Sequence, residues 1–103
     1  MLPDVTCLQA MSAACEYRSA RLAECLRVSP RHLRRLFLSR FNCSPDRWLR
    51  EERLQAACQL LLSELSVKEV AYVLGFAQAA QFCRDFRARF GITPLRYRRS
   101  QCS

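Results

Sequence analysis

Apolar side chains recur at three- and four-residue spacing along nearly the whole chain, with no alternating β-branched run of useful length. With only two glycines and four prolines as punctuation, the pattern predicts an all-α fold. A first helix is expected after Pro3-Asp4, with Val5, Leu8, Met11 and Cys15 on one face and its end near 16–19. A second starts around Ala20, turns Leu22, Ala23 and Leu26 inward, and gives way to a turn at Arg27-Val28. Ser29-Pro30 then opens a third helix, because a serine N-cap supplies an acceptor and proline at the first position has no N–H to leave unsatisfied. That helix buries Leu33, Leu36, Phe37 and Phe41.

Ser44-Pro45 repeats the start signal and opens a long helix over about 46–63, with Trp48, Leu49, Leu54, Ala57, Leu60 and Leu61 as its buried stripe. At 1.5 Å per residue it is about 27 Å long. Ser66 and Glu69 have the spacing of a capping box and start a fifth helix, which Gly75 stops. A sixth, from about 78 to 89, buries Phe82, Phe86 and Phe90 before Gly91 ends it. Thr93-Pro94 opens a short last helix through Tyr97, and residues 100–103 are expected to fray. Ala77 offers no capping hydroxyl at the entry to the sixth helix.

A chain of 103 residues and 12.0 kDa holds one domain, or two small subdomains sharing a connecting element. All but Lys68 of its 17 cations are arginines, against 9 acidic residues, for a net charge of +8. So basic a balance favours a polyanionic partner: nucleic acid first, a membrane surface second. No stretch approaches the roughly 18 apolar residues of a spanning helix, and the amino end lacks a secretory pattern, so the chain is expected to be soluble and cytoplasmic. Its seven cysteines contain no C-x-x-C pair, and His32 is the lone imidazole, which speaks against a zinc site. An odd cysteine count without a secretory signal speaks against a disulfide framework, so most thiols are expected to be small apolar fillers. No cofactor is implied.

The chain also matches itself. Leu22, Ala23, Leu26 and Val28 fall on Val70, Ala71, Leu74 and Phe76; after one inserted residue, Leu33, Phe37, Phe41, Ser44 and Pro45 fall on Phe82, Phe86, Phe90, Thr93 and Pro94. A helix-turn-helix unit therefore occurs twice, each with an outer helix able to enter a major groove. On the third helix Arg31, Arg34 and Arg35 share one face opposite Leu33, Leu36 and Phe37, and guanidinium matches phosphates and guanine edges. The equivalent face of the sixth holds Ala79, Ala80, Cys83, Arg84 and Arg87, which is poorer in hydrogen-bonding groups. There the arginines suit phosphates and the alanines thymine methyls. The connector is long enough to hold the two outer helices near the about 34 Å spacing of successive groove windows. Its Arg47, Arg50 and Arg53 suit the backbone between them, whereas Glu51 and Glu52 suit an ordinary solvated surface.

Leu22-Ala23, Ser29 to Leu33, Arg35-Leu36-Phe37, Ser44-Pro45, Arg53-Leu54, Ala57 and Leu60-Leu61 resemble the AraC/XylS family of bacterial transcription regulators. The closing run, Val70-Ala71, Leu74-Gly75-Phe76, Phe82, Arg84, Phe86, Phe90 to Pro94 and Tyr97-Arg98, is similar to that family's carboxy-terminal signature. The resemblance covers about 21–99. It implies a seven-helix DNA-binding domain with two helix-turn-helix units joined by a long helix; the chain's own pattern, whose first helix is the least family-like part, sets one subdomain over 5–45, the linker helix over 46–63 and a second subdomain over 66–99. It further implies that the first unit supplies more of the sequence reading, that Arg31, Arg34 and Arg35 face the groove there, and that Ala79, Ala80, Cys83 and Arg84 do so in the second. The chain departs from the family at Arg27, where the turn often has glycine, at Leu38, where a cation is common, and at the apolar Ala77 to Ala80 entry.

The function expected is sequence-specific binding of promoter duplex DNA through Ser29, Arg31, His32, Arg34, Arg35, Arg53, Ala79, Ala80, Cys83, Arg84 and Arg87. RNA polymerase is a further partner that family members often touch, and the isolated chain is expected to be monomeric, with no membrane partner. Most family members carry a sensing or dimerisation domain before this one, so the chain is either a fragment or a short stand-alone regulator. The alternative is a helical protein-interaction or anionic-surface module that has lost DNA reading. Another reading makes Cys83 a thiol switch on the groove face. An enzyme is not expected: no carboxylate pair stands at acid/base spacing, no glycine-rich phosphate loop exists, and His32 sits on the third helix, where it suits a phosphate or water contact.

Overall fold

Five of the described helix starts are set by side-chain oxygens that accept the amide three residues on. Asp4 does so for Cys7, Ser29 for His32, Ser44 for Arg47, Ser66 for Glu69 and Thr93 for Arg96, at 2.8 to 3.3 Å. Each satisfies a donor that the helix itself cannot. The computed structural model describes residues 2–101, and among them lie seven helices and no strand. They are α1 (Val5–Ala14), α2 (Ser19–Leu26), α3 (Pro30–Phe41), α4 (Pro45–Leu61), α5 (Val67–Val73), α6 (Ala79–Phe90) and α7 (Pro94–Gln101). No described helix is long and apolar enough to cross a membrane.

Two compact units divide within α4, one reaching Arg53 and the other beginning at Leu54. The connector is thus no free rod: its first half is built into one unit through Leu49, and its second into the other through Leu54, Ala57 and Leu61, all at most 2% exposed.

In the first unit α2 packs on α1 and on α3. Leu8, Leu22, Leu33, Phe37 and Leu49 are at most 1% exposed and form the centre. Phe37, Phe41 and Trp48 meet pairwise with ring centroids 5.3 to 5.5 Å apart. In the second unit α6 packs on α5 and α7, and Phe86, Phe90 and Tyr97 occupy the equivalent positions, with Phe86 lying 4.6 Å from Phe90 and 5.7 Å from Tyr97. Burying one such ring contributes about 1.5–3 kcal/mol. Burial and hydrogen bonding to Cys58 push the Tyr97 phenol above its ordinary value.

Several details differ from expectation. Val5 is 43% exposed, and the α1 core positions are Leu8, Ser12 and Cys15, with the Ser12 hydroxyl donating to the Leu8 carbonyl at 2.7 Å. Glu16 and Tyr17 both take positive φ after α1, a turn no glycine announces. The α6 N-cap falls on Gln78 and not Ala77, and its side chain makes no cap hydrogen bond. The last helix runs past Tyr97 to Gln101, because Arg98 donates from Nε to the Leu61 carbonyl at 2.7 Å and from Nη2 to the Leu65 carbonyl. The rest of the frayed end expected there, residues 102 and 103, lies outside the described residues. The described cysteines divide: Cys15 is buried, Cys43, Cys58 and Cys83 are half-buried, and Cys7 and Cys25 are exposed, so the last two do not fill the core.

Candidate nucleic-acid interface

The turn ahead of α3 is built by a residue that the backbone strains. Arg27 closes α2 in the left-handed region at φ 57°, and the Val28 amide then returns to the Ala23 carbonyl at 3.0 Å. Ser29 follows as N-cap, its hydroxyl accepting from the His32 amide at 3.1 Å, and Pro30 takes the first helical position. These local choices fix where α3 begins and hence which of its residues face out. Leu33 and Phe37, 1% and 0% exposed, point to the core, which leaves Arg31, Arg34 and Arg35 exposed on the other side. No acidic residue lies on α3, so nothing on that helix neutralises the three guanidiniums. His32 and Ser29 are exposed beside them.

Arg31 and Arg34 also border an open cleft of about 370 Å³, whose other walls include Ser19 and Ala20 at the start of α2 and Ser44, Pro45 and Asp46 at the start of α4. Sequence patterning gave no sign of it, because its walls come from the first turns of three helices that meet only in the fold. Arg40, though on α3, is engaged: it donates to the Pro3 carbonyl and lies 5.1 Å from the Phe41 ring centroid.

In the second unit the same construction recurs with different chemistry. Gly75 takes the left-handed position at φ 84°, and the Phe76 amide returns to the Ala71 carbonyl at 3.0 Å. Phe82 and Phe86 are fully buried, so the outer face of α6 carries exposed Ala80, Arg84 and Arg87 and half-buried Ala79 and Cys83. Unlike α3, this helix includes an acidic residue, the half-buried Asp85.

Arg53 behaves differently from the other expected site residues. It is half-buried on α4 and close enough to Tyr17 to favour the phenolate, against the desolvation and the Glu52 charge that together hold the Tyr17 phenol above its ordinary value. Among the described residues no three His, Cys, Asp or Glu side chains are grouped to hold a metal ion.

A helix-turn-helix domain model matches residues 22–100 of the chain. Among curated proteins, the HTH-type transcriptional regulator GbdR of Pseudomonas aeruginosa is 42% identical over 81 residues, covering 78% of this chain and 22% of that protein. The HTH-type transcriptional regulator ExsA of the same species is 40% identical over 67 residues, covering 64% and 24%. The chain thus spans about a quarter or less of the length of these relatives. Among solved structures, a transcriptional regulator with an AraC-type DNA-binding domain from Chromobacterium violaceum superposes with a TM-score of 0.81 at 27% identity, over 96% of this chain and 92% of that one. The DNA-binding domain of the global transcriptional factor AdpA, solved in complex with a target DNA, superposes with a TM-score of 0.79 at 29% identity, over 92% and 89%.

Proposed function

The chain belongs to the AraC/XylS family of helix-turn-helix transcription regulators, and from that premise we propose that it regulates transcription by binding promoter duplex DNA, with α3 as the principal reading helix. One observation carries this reading: the exposed Arg31, Arg34 and Arg35 face on a helix whose other side is the core of its unit. Three guanidiniums fixed to a packed helix can engage guanine edges in the major groove without first ordering the backbone that holds them. Ser29 and His32, at the start of the same helix, suit phosphates.

The second unit adds affinity more than specificity in this reading. Arg84 and Arg87 on α6 meet phosphates, and Ala79, Ala80 and Cys83 offer an apolar surface to thymine methyls. Arg53, held beside Tyr17, contributes charge near the backbone. One copy of the chain occupies one site.

Selecting bound sequences from a random duplex pool, then footprinting the winners, tests the proposal. An enriched sequence with protected major-groove contacts, and affinity that falls steeply as salt rises, are the expected results. Equal retention on random duplex and on heparin, with no enriched sequence, would favour an unspecific anionic-surface module and overturn it.

A further inference from the structure

Two cysteine sulfurs meet where α1 ends. Cys15, 3% exposed, is the C-cap of α1, and Cys25 lies exposed on the last turn of α2. Their Sγ atoms stand 3.3 Å apart, in thiol hydrogen-bond contact. Burial pushes the Cys15 thiol up to about 11, with the Cys25 hydrogen bond and charge and the Glu24 carboxylate acting in the same direction and Arg21 opposing them. Cys15 is therefore protonated and shielded at neutral pH, while the Cys25 sulfur is the one a solute can reach. An accessible thiol with a second thiol against it is the arrangement in which oxidation of the first is captured by the second.

We propose that Cys15 and Cys25 are a reversible redox site that hydroperoxides oxidise to an intramolecular disulfide, tying the end of α1 to the last turn of α2. The Cys25 thiolate attacks the peroxide: an S–O bond forms, the O–O bond breaks, and the departing oxygen leaves as alcohol or water after taking a proton. The Cys15 sulfur then attacks the Cys25 sulfenic acid: the S–S bond forms, the S–O bond breaks, and the Cys15 proton leaves with the hydroxyl as water. In total, two thiols and one hydroperoxide give a disulfide, an alcohol or water, and a water, with two electrons passing from sulfur to oxygen. A dithiol reductant reverses it by exchange.

The test is brief treatment of the whole chain with hydrogen peroxide, alkylation of remaining thiols, and tryptic mapping by mass spectrometry. Cleavage after Arg18, Arg21 and Arg27 leaves Cys25 in peptide 22–27 and Cys15 together with Cys7 in peptide 1–18, so a disulfide joins two peptides that are otherwise apart and fragmentation of the joined pair assigns the bridge to Cys15 or to Cys7. A Cys15–Cys25 linked pair, lighter by two hydrogens and lost on dithiothreitol treatment, is expected. Cys25→Ser should leave Cys15 unmodified at the same dose, and Cys15→Ser should leave a Cys25 sulfenic acid that dimedone traps. Because Cys15 is buried, helical circular dichroism checks that variant; should it fail to fold, the linked pair formed in the parent and missing from Cys25→Ser decides. Oxidation that falls first on Cys7 or Cys43, or that links Cys25 between copies with no Cys15–Cys25 peptide, would overturn the proposal.

Discussion

The Val28 amide donates to the Ala23 carbonyl at 3.0 Å across the turn between α2 and α3. Phe76 and Ala71 make the same bond at the same length between α5 and α6. In both turns a left-handed residue stands one place before the returning amide, Arg27 at φ 57° and Gly75 at φ 84°. In both, the accepting alanine is 2% exposed, small enough to lie at the helix crossing. The duplication therefore extends beyond apolar pattern to backbone conformation, and Asn42 and Gly91 repeat the equivalence as the left-handed caps of α3 and α6.

Arg27 is the strained member of this pair. A side chain in the left-handed region costs roughly 1–2 kcal/mol, whereas glycine there is unstrained but loses about 0.5–1 kcal/mol more chain entropy on folding. Arg27→Gly should raise unfolding stability by up to about 1 kcal/mol, read as a higher urea midpoint with an unchanged slope. A lower midpoint would mean that the Arg27 side chain makes a contribution larger than its backbone strain.

The start of α6 leaves a comparable gain open. Gln78 caps it without a side-chain hydrogen bond, while Ser29 provides one for α3. Gln78→Ser should add about 1 kcal/mol to stability, and Ser29→Ala should remove about as much. Thermal unfolding of the two variants against the parent checks both signs.

How far the sequence disclosed this structure depends on the kind of force involved. Helix starts at Ser29, Ser44, Ser66 and Thr93 were legible because cap chemistry is local to a few residues. The face of α3 was legible because Leu33 and Phe37 leave Arg31, Arg34 and Arg35 a single direction to point. Residue type misled at Ser12 and Val5: a serine whose hydroxyl returns to its own helix can be fully buried, and a valine at a helix end can be left outside. The length of α7 was hidden because a long-range polar anchor holds it, Arg98 on the carbonyls of Leu61 and Leu65, and that leaves no apolar period. The left-handed turn at Glu16 and Tyr17 and the cleft beside Arg31 depend on contacts that no single segment encodes.

The capping box of α5 should give stability a dependence on acid. Hydrogen bonds from the Ser66 backbone and side chain hold the Glu69 carboxyl below its ordinary value of 4.5. A depressed carboxyl stabilises the fold above its unfolded value, and that contribution is lost as pH falls through the lower folded value. Glu69→Ala should therefore lower the melting temperature at neutral pH, and the gap to the parent should close as the pH is taken well below 4.5. A gap that stays constant across that range would show that the carboxylate charge plays no part in the cap.

The two outer helices should fail differently when their arginines are removed. Arg31 and Arg35 lie on a helix without acidic residues, and if each reads a guanine bidentately, Arg31→Ala and Arg35→Ala should each cost about 1–3 kcal/mol on the selected site and far less on random duplex. Arg84 shares α6 with Asp85 and is flanked by alanines and a cysteine that offer little to a base edge. As a phosphate contact it should behave otherwise: Arg84→Ala should weaken binding to every duplex by a similar factor and make the slope of log affinity against log salt shallower by about one. Titrating the three variants against both duplexes at several salt concentrations separates the roles. Equal losses on the two duplexes for Arg31→Ala and Arg35→Ala would remove base reading from α3, and a sequence-dependent loss for Arg84→Ala would give it to α6.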